Sequence, residues 1–276
     1  MNTIIFLQSF SNSFLDKFFI FLTMLGEEYL SIFIMLYLFW CVNKDLGYKL
    51  GFSILFSTVT NGAIKDTVKA IRPIGNPLIR SLRENTATGY SFPSGHTQAT
   101  TSLWFSLMLV IRKSWFYIFA TLLILLVGIS RLYLGVHWPL DVLGGVVFGV
   151  ISVIIGNYLF ALSKKKNNKF ILLILIFPSL IGLILFPSTD YAKAVGGFTG
   201  FFIGYVIEST YINFSINKKP LNTILKLLVG LTSILAIKSG LKIILPATNL
   251  SDFFRYLIVC LWITAIAPWI FKKLGL

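Results

Sequence analysis

Residues 130–141 read Ser-Arg-Leu-Tyr-Leu-Gly-Val-His-Trp-Pro-Leu-Asp and lie between two apolar runs, residues 115–130 and 140–162, that suit membrane spans. The turn between these runs holds one of the two histidines of the chain, His137, with Arg131 before it and Asp141 one helical turn after it. The other histidine, His96, closes the segment Ser-Phe-Pro-Ser-Gly-His at residues 91–96. Both imidazoles therefore lie beside Arg, Ser, Gly or Asp, which indicates acid–base or nucleophilic chemistry on an anion.

The composition predicts a polytopic membrane protein and excludes a soluble globular domain, because 56% of the residues are hydrophobic and only 12% are charged. The formal net charge is +14, but the basic residues form short clusters between apolar runs and not one stripe. Nucleic acid is therefore not a predicted partner. Cys41 and Cys260 lie within apolar segments, and no disulfide is predicted between them.

The fold is predicted to be all-α, since helices satisfy their own backbone hydrogen bonds in lipid. Residues 3–25 are apolar but interrupted by polar side chains, which favours an N-terminal helix lying in the membrane interface. About nine spans are predicted to follow, at residues 26–42, 47–64, 94–111, 115–130, 140–162, 170–187, 194–213, 221–245 and 253–271.

Lys and Arg residues outside the motifs fall in alternate loops, a pattern typical of cytoplasmic loops. These loops contain Lys44, Lys49, Arg112, Lys113, Lys164–Lys166, Lys169, Lys218, Lys219, Lys272 and Lys273. Both histidines are then predicted to reach the opposite, extracytoplasmic face. The basic stretch at residues 164–169 divides a predicted core, residues 1–165, from four further helices, residues 166–276, to which the sequence assigns no role.

His137 and Asp141 are four residues apart, and Pro139 between them suits the first turn of a helix. The carboxylate is therefore predicted to lie on the same helical face as the imidazole and to accept a hydrogen bond from it. The other ring nitrogen is then unprotonated and is the predicted nucleophile toward phosphorus. His96 is the predicted general acid for the leaving group and then the base that activates water.

Three cations are predicted to hold the phosphoryl group, since phosphoryl transfer spreads negative charge over three equatorial oxygens. They are Lys65, Arg72 and Arg131. Ser94 and Gly95 open a predicted helix, where a hydroxyl and backbone amides form an anion site. These groups can replace a metal ion, so no metal and no organic cofactor are predicted.

Three motifs, taken in order, resemble those of the type 2 phosphatidic acid phosphatase family, also called lipid phosphate phosphatases, which forms a superfamily with the vanadium haloperoxidases. They are Lys65 with Arg72-Pro73 after six residues, then Pro93-Ser94-Gly95-His96, then Ser130-Arg131 with His137 after five residues and Asp141 after three more. The resemblance covers roughly residues 10–160 and implies that family's helical core, followed here by added membrane helices. It also implies metal-independent hydrolysis of a lipid phosphate through a phosphohistidine.

Four further cations are candidate contacts for an anionic headgroup. Arg80 and Arg83 lie in the polar loop after Arg72, and Lys238 and Lys242 share a face of a span in the C-terminal half. The alternative interpretation is an ordinary outer loop for the two arginines and snorkelling to the membrane interface for the two lysines. Two charged residues near inner helix ends are predicted to be interface anchors, namely Glu208 and Lys226.

The sequence thus predicts an integral membrane lipid phosphatase with its site on the extracytoplasmic side of a bacterial membrane. Its predicted partners are the bilayer and a lipid phosphate, and no oligomeric state is predicted. The resemblance makes undecaprenyl diphosphate, phosphatidylglycerol phosphate and phosphatidic acid the candidate substrates. Two alternatives remain, namely a lipid phosphotransferase using the same intermediate and a non-catalytic lipid transporter or scramblase.

Overall fold

The computed structural model describes all 276 residues, which are mainly helical and include no β-strand. Short π-helical segments at Leu38–Val42, Glu208–Ile212 and Trp262–Ile266 follow three of the α-helices. The α-helices are α1 (Asn2–Ser9), α2 (Ser13–Met24), α3 (Glu28–Tyr37), α4 (Lys44–Val68), α5 (Gly95–Ile111), α6 (Ser114–Tyr133), α7 (Pro139–Lys165), α8 (Leu173–Leu185), α9 (Thr189–Ile207), α10 (Pro220–Ile244), α11 (Asn249–Leu261) and α12 (Ala267–Leu274).

The N-terminal region forms two helices, α1 and α2, where the sequence analysis expected one interfacial helix. A new helix starts because Asn12 is an N-cap whose side-chain oxygen accepts a hydrogen bond from the amide of Leu15 at 2.9 Å. Leu22 and Thr23 of α2 are buried within the protein. An interfacial position for this region stays a prediction.

Four helical segments are long and apolar enough to cross a membrane, and the chain is an integral membrane protein. They are Ser114–Tyr133, Pro139–Lys165, Pro220–Ile244 and Asn249–Leu274. The count rises to five if Ser13–Met24 and Glu28–Val42 together form one broken span. The expected nine spans are not confirmed. α5 and α8 are short, with 17 and 13 residues, and α4 and α9, with 25 and 19 residues, are long enough but do not meet the requirement for an apolar, weakly charged stretch.

Contacts divide the chain into two compact units. The first unit comprises residues 1–31 and 60–154, and the second comprises residues 32–59 and 155–276. This division differs from the boundary predicted at residue 165 from the basic stretch, since residues 32–59 group with the C-terminal helices. A functional division at residue 165 stays a prediction.

In the first unit, α6 contacts α1, α2 and α5. An apolar cluster that includes Met108 and Phe116 joins α5 to α6. At the other end of α6, the ring of Phe19 stacks on that of Tyr133 with centroids 4.2 Å apart. These contacts fix the end of α6 that leads into the turn containing His137.

In the second unit, α9 and α11 pack against each other along glycines spaced four residues apart. A Cβ atom on Gly196 or Gly200 would overlap the carbonyl oxygen of Phe253 or Leu257, respectively. Small residues at this spacing let the backbones of two helices approach closely.

Glu208 and Lys226 are buried, which corrects their interpretation as interface anchors. Glu208 accepts hydrogen bonds from Lys44 at 2.8 Å and from the hydroxyl of Tyr48 at 2.7 Å. Lys226 donates to two backbone carbonyls, one of them that of Trp40, both at 2.9 Å. Buried charges are tolerated when they are paired in this way.

Candidate active site

The turn between α6 and α7 presents His137, and its backbone is held by the loop that precedes α5. Gly135 has a φ of +67°, and a Cβ atom there would overlap the carbonyl oxygen of Arg80. The amide of Leu82 donates to the carbonyl of Leu134 at 2.9 Å. Only glycine meets both the left-handed backbone and the close approach without strain.

The imidazole of His137 is 1% exposed and is oriented by Asp141 from the first turn of α7. His137 Nδ1 lies 3.2 Å from Asp141 Oδ2. The same carboxylate oxygen accepts from the amide of Trp138 at 2.8 Å and, through a short hydrogen bond, from the hydroxyl of Ser91. These hydrogen bonds hold the Asp141 carboxylate beside the imidazole of His137, as the spacing of four residues predicts.

Arg72 identifies the tautomer of His137. Its Nη1 lies 2.9 Å from His137 Nε2, and a guanidinium can only donate, so Nε2 is the acceptor and carries no proton. The proton of the neutral ring is then on Nδ1, where it is donated to Asp141. Other donors of Arg72 are bonded to backbone carbonyls, including that of Val136 at 3.0 Å and that of Thr88 at 2.7 Å.

The pKa of His137 lies well below its ordinary value. Burial is the main cause, because it disfavours the charged imidazolium, and the positive charges of Arg72, Arg131 and Lys65 act in the same direction. The ring is therefore neutral at neutral pH, as a nitrogen nucleophile must be.

Ser94 and Gly95 begin α5 beside the first turn of α7. The hydroxyl of Ser94 is the N-cap, accepting a hydrogen bond from the hydroxyl of Thr97 at 3.0 Å, and the amide of Ser94 donates to the carbonyl of Asp141 at 2.9 Å. This amide is therefore already bonded, which modifies the expected anion site. The amides of Gly95 and His96 lie in the first helical turn, where no intrahelical acceptor exists.

Two buried polar groups lack a partner for some of their nitrogens. Nε2 of His96 and both Nε and Nη2 of Arg131 have no hydrogen-bond partner within the protein. Arg131 is fully buried, and its Nη1 donates to the hydroxyl of Thr23 at 2.7 Å. Unpaired buried donors are costly, so these nitrogens suit an oxyanion ligand.

Lys65 lies near the end of α4, with its ammonium directed to the start of α5. A Cβ atom built on Gly95 would be 4.0 Å from Lys65 Nζ and 3.6 Å from Asn61 Oδ1. Asn61, one turn earlier on α4, donates to the carbonyl of Pro93 at 3.3 Å and to the side chain of Gln98 at 2.8 Å. The structure thus places every predicted catalytic and phosphate-binding residue in the first unit.

The four candidate headgroup contacts differ in their surroundings. Arg80 forms a two-pronged ion pair with Asp16 at 2.5 and 3.0 Å, and Arg83 pairs with Glu27 at 2.8 Å. Lys238 and Lys242 belong to α10 in the second unit, where the ammonium of Lys238 lies 5.6 Å from the ring centroid of Tyr256. A headgroup role for these residues stays a prediction.

Three supporting residues were not predicted from the sequence, namely Ser91, Thr23 and Asn61. Ser91 precedes the first residue of the Pro-Ser-Gly-His motif by two positions, and Asn61 precedes Lys65 by one helical turn, so their positions offered a signal. Thr23 offered none, because it is 108 positions from Arg131. No group of three or more His, Cys, Asp or Glu side chains is arranged to hold a metal ion.

Comparison with known proteins connects this site to one family. A family model described as "PAP2 superfamily" matches residues 46–167, and "PAP2 superfamily phosphatase, transmembrane extension" matches residues 192–276. The undecaprenyl-diphosphatase of Sulfolobus acidocaldarius is 34% identical over 131 residues, which are 47% of this chain and 63% of that protein. Lipid phosphate phosphatase delta of Arabidopsis thaliana is 28% identical over 275 residues, covering 84% of this chain and 63% of that protein.

A third relative is phosphatidylglycerophosphatase B of Bacillus subtilis, which is 32% identical over 127 residues, 42% of this chain and 56% of that protein. This chain therefore spans less than two thirds of the length of these relatives.

Proposed function

Because this chain belongs to the PAP2 superfamily, we propose that it is an integral membrane lipid phosphatase that removes a terminal phosphate through a phosphohistidine at His137. The observation that carries the proposal is the pair of hydrogen bonds on this ring. Arg72 bonds to Nε2 and Asp141 to Nδ1, which leaves Nε2 with the lone pair that attacks phosphorus.

Substrate binding changes the bonding of Arg72. In the structure its Nη1 donates to His137 Nε2, so the nucleophilic lone pair is occupied. A phosphate oxygen is a stronger, charged acceptor for the guanidinium than a neutral imidazole. Arg72 therefore transfers its hydrogen bond to the substrate, and the same step frees Nε2 for attack.

The remaining cations stabilise the equatorial oxygens of the transition state. Arg131 supplies two buried nitrogens without protein partners, and Lys65 supplies a compact positive charge near Gly95. The first-turn amides of α5 add donors at a helix N-terminus. We propose that this set binds the phosphoryl group without a metal ion.

His96 completes the two half-reactions. The Nε2–P bond forms as the bond from phosphorus to the leaving oxygen breaks, and His96 gives its proton to that oxygen. In the second half, His96 takes a proton from water, the water oxygen bonds to phosphorus, and the Nε2–P bond breaks to release inorganic phosphate. Positioned proton transfer typically contributes about 10² to 10⁴ in rate.

The proposed substrates are lipids with an exposed terminal phosphate, such as undecaprenyl diphosphate, phosphatidylglycerol phosphate and phosphatidic acid. The names of the relatives from Sulfolobus and Bacillus support the first two. The alternation of basic loops supports a site on the extracytoplasmic face of a bacterial membrane.

The direct test is release of inorganic phosphate from these three lipids in detergent. His137→Ala is expected to lower kcat/KM by at least about 10³-fold, because the nucleophile is lost. Lys65→Gln should also reduce activity, whereas Lys69→Gln, an exposed cation four residues further along, is the matched control and should retain it. Activity is expected to persist in EDTA.

Three outcomes would contradict the proposal. Phosphate release by the His137→Ala protein at the wild-type rate would refute the nucleophile. Transfer of phosphate to an acceptor lipid, with little free phosphate, would indicate a phosphotransferase. Movement of labelled lipid by wild type and His137→Ala alike, without hydrolysis, would indicate a transporter.

A further inference from the structure

The connection between α2 and α3, residues 25–27, forms one side of the proposed site. Gly26 packs on the first turn of α5, where a Cβ atom would lie 3.3 Å from the carbonyl oxygen of His96. The next residue, Glu27, forms an ion pair with Arg83 at 2.8 Å. Glu27 therefore directly follows a residue that packs on the backbone of His96, the residue proposed to protonate the leaving group.

Arg83 is a fourth cation at the site, beyond the three in the family motifs. Its charge acts on His96 and on Arg131. Arg131 and Lys65 act on both histidines, and Arg72 acts on His137. In an in-line displacement the leaving group departs on the side opposite the nucleophile. Arg83 is therefore assigned to the leaving-group side, because Glu27 holds it next to Gly26, which packs on the backbone of His96.

Arg83 also has bonding capacity left for a ligand. A guanidinium has five N–H donors, and the ion pair with Glu27 involves Nη2. The side chain is 23% exposed and so is accessible while Glu27 holds it in place. Arg80 in the same loop differs, because two of its nitrogens are bonded to Asp16.

We propose that Arg83, held by Glu27, is a specificity-determining residue that contacts the lipid-linked phosphate of a diphosphate substrate while His137 attacks the terminal one. This inference rests on the proposed function. The bond between Nε2 and the terminal phosphorus forms, the bond to the bridging oxygen breaks, His96 gives its proton to that oxygen, and a lipid monophosphate leaves. A lipid monophosphate has no second phosphate for Arg83 to contact.

Two probes with one tail test this selectivity, farnesyl diphosphate and farnesyl monophosphate. Arg83→Gln is expected to lower kcat/KM for the diphosphate about 10- to 100-fold, the effect of losing a charged hydrogen bond, and to change kcat/KM for the monophosphate less than about 3-fold. The matched control is Arg80→Gln, which should change both values by the same factor. Retained monophosphate hydrolysis also shows that the variant is folded.

An equal change for both probes in the Arg83→Gln protein would overturn the inference and leave the proposed function intact. A wild-type protein that hydrolyses only the monophosphate would do the same, and one that hydrolyses neither would overturn both. If the Arg83→Gln protein fails to fold, the Arg83→Lys protein provides the test, because lysine keeps the positive charge but lacks the planar donors of arginine. A selective loss of about 3- to 10-fold on the diphosphate supports the inference, and an unchanged ratio overturns it.

Discussion

His137 owes its reactivity to two contacts with opposite roles. Asp141 accepts the Nδ1 proton, and Arg72 donates to Nε2, so the ring has one defined tautomer. The low pKa of this imidazole, caused first by burial and then by nearby cations, keeps it unprotonated. The same surroundings that attract a phosphate anion thus prevent the nucleophile from binding a proton.

This electrostatic arrangement predicts an unusual titration. The chain has only two histidines, so ¹³C-labelled histidine in the His96→Asn protein gives a single imidazole signal, that of His137. Because the pKa is lowered, the neutral form should persist as pH falls through the ordinary histidine range, about 6.5, and protonation should begin only below it.

Arg72→Gln is the companion variant for the titration. Loss of one repelling charge should move the midpoint of His137 upward, toward the ordinary value. A midpoint at or above the ordinary value in the His96→Asn protein would contradict the electrostatic description of the site.

Sequence spacing was sufficient to place some site residues and not others. His137 and Asp141 are four residues apart on one chain segment, so their contact follows from helical geometry. Ser91 contacts Asp141 across 50 positions and Thr23 contacts Arg131 across 108, and no local pattern encodes either contact. Burial of the ion-paired Glu208 was missed for the same reason, since its partner Lys44 is 164 positions away.

At the scale of elements, the close packing of α9 on α11 depends on glycine. The aligned positions 196 and 200 leave no room for a side chain, because each faces a backbone carbonyl of α11. Backbone atoms cannot rotate away as a flexible side chain can, so an added methyl group must separate the helices.

Gly200→Ala is therefore expected to destabilise the protein by about 1–3 kcal/mol. The matched control is Gly240→Ala in α10, where a Cβ atom meets nothing within 4 Å and alanine favours the helix by up to about 1 kcal/mol. The stability of both variants is measured by heating the proteins in detergent and recording the loss of the monodisperse peak in size-exclusion chromatography. Equal stability of the Gly200→Ala and wild-type proteins would show that the helices are not so closely packed.

Helix boundaries were predicted best where a capping residue marked them. Ser94 and Pro139 start α5 and α7 close to the predicted residues, since a hydroxyl cap and a proline act locally. The N-terminal region divided at Asn12, another local cap that the apolar pattern concealed. The number of membrane spans depends on helix length and contacts, which hydropathy alone does not determine.

At the scale of the molecule, the residues proposed for catalysis all belong to the first unit, residues 1–31 and 60–154. The family model begins at residue 46, yet α2 bonds to Arg131 through Thr23, and Glu27 just after it bonds to Arg83. The N-terminal helices are thus part of the same compact unit as the motifs. The second unit contains the matched transmembrane extension.

The decisive measurement is rapid-quench labelling with a lipid diphosphate carrying ³²P in its terminal phosphate. An acid-labile phosphohistidine at residue 137 should form in the wild-type protein and accumulate in His96→Ala, because the base that activates water is missing while a phosphate leaving group needs little protonation. The His137→Ala protein should take up no label. Turnover by wild type with no labelled protein in His96→Ala, or label retained in His137→Ala, would contradict a phosphoryl transfer through His137.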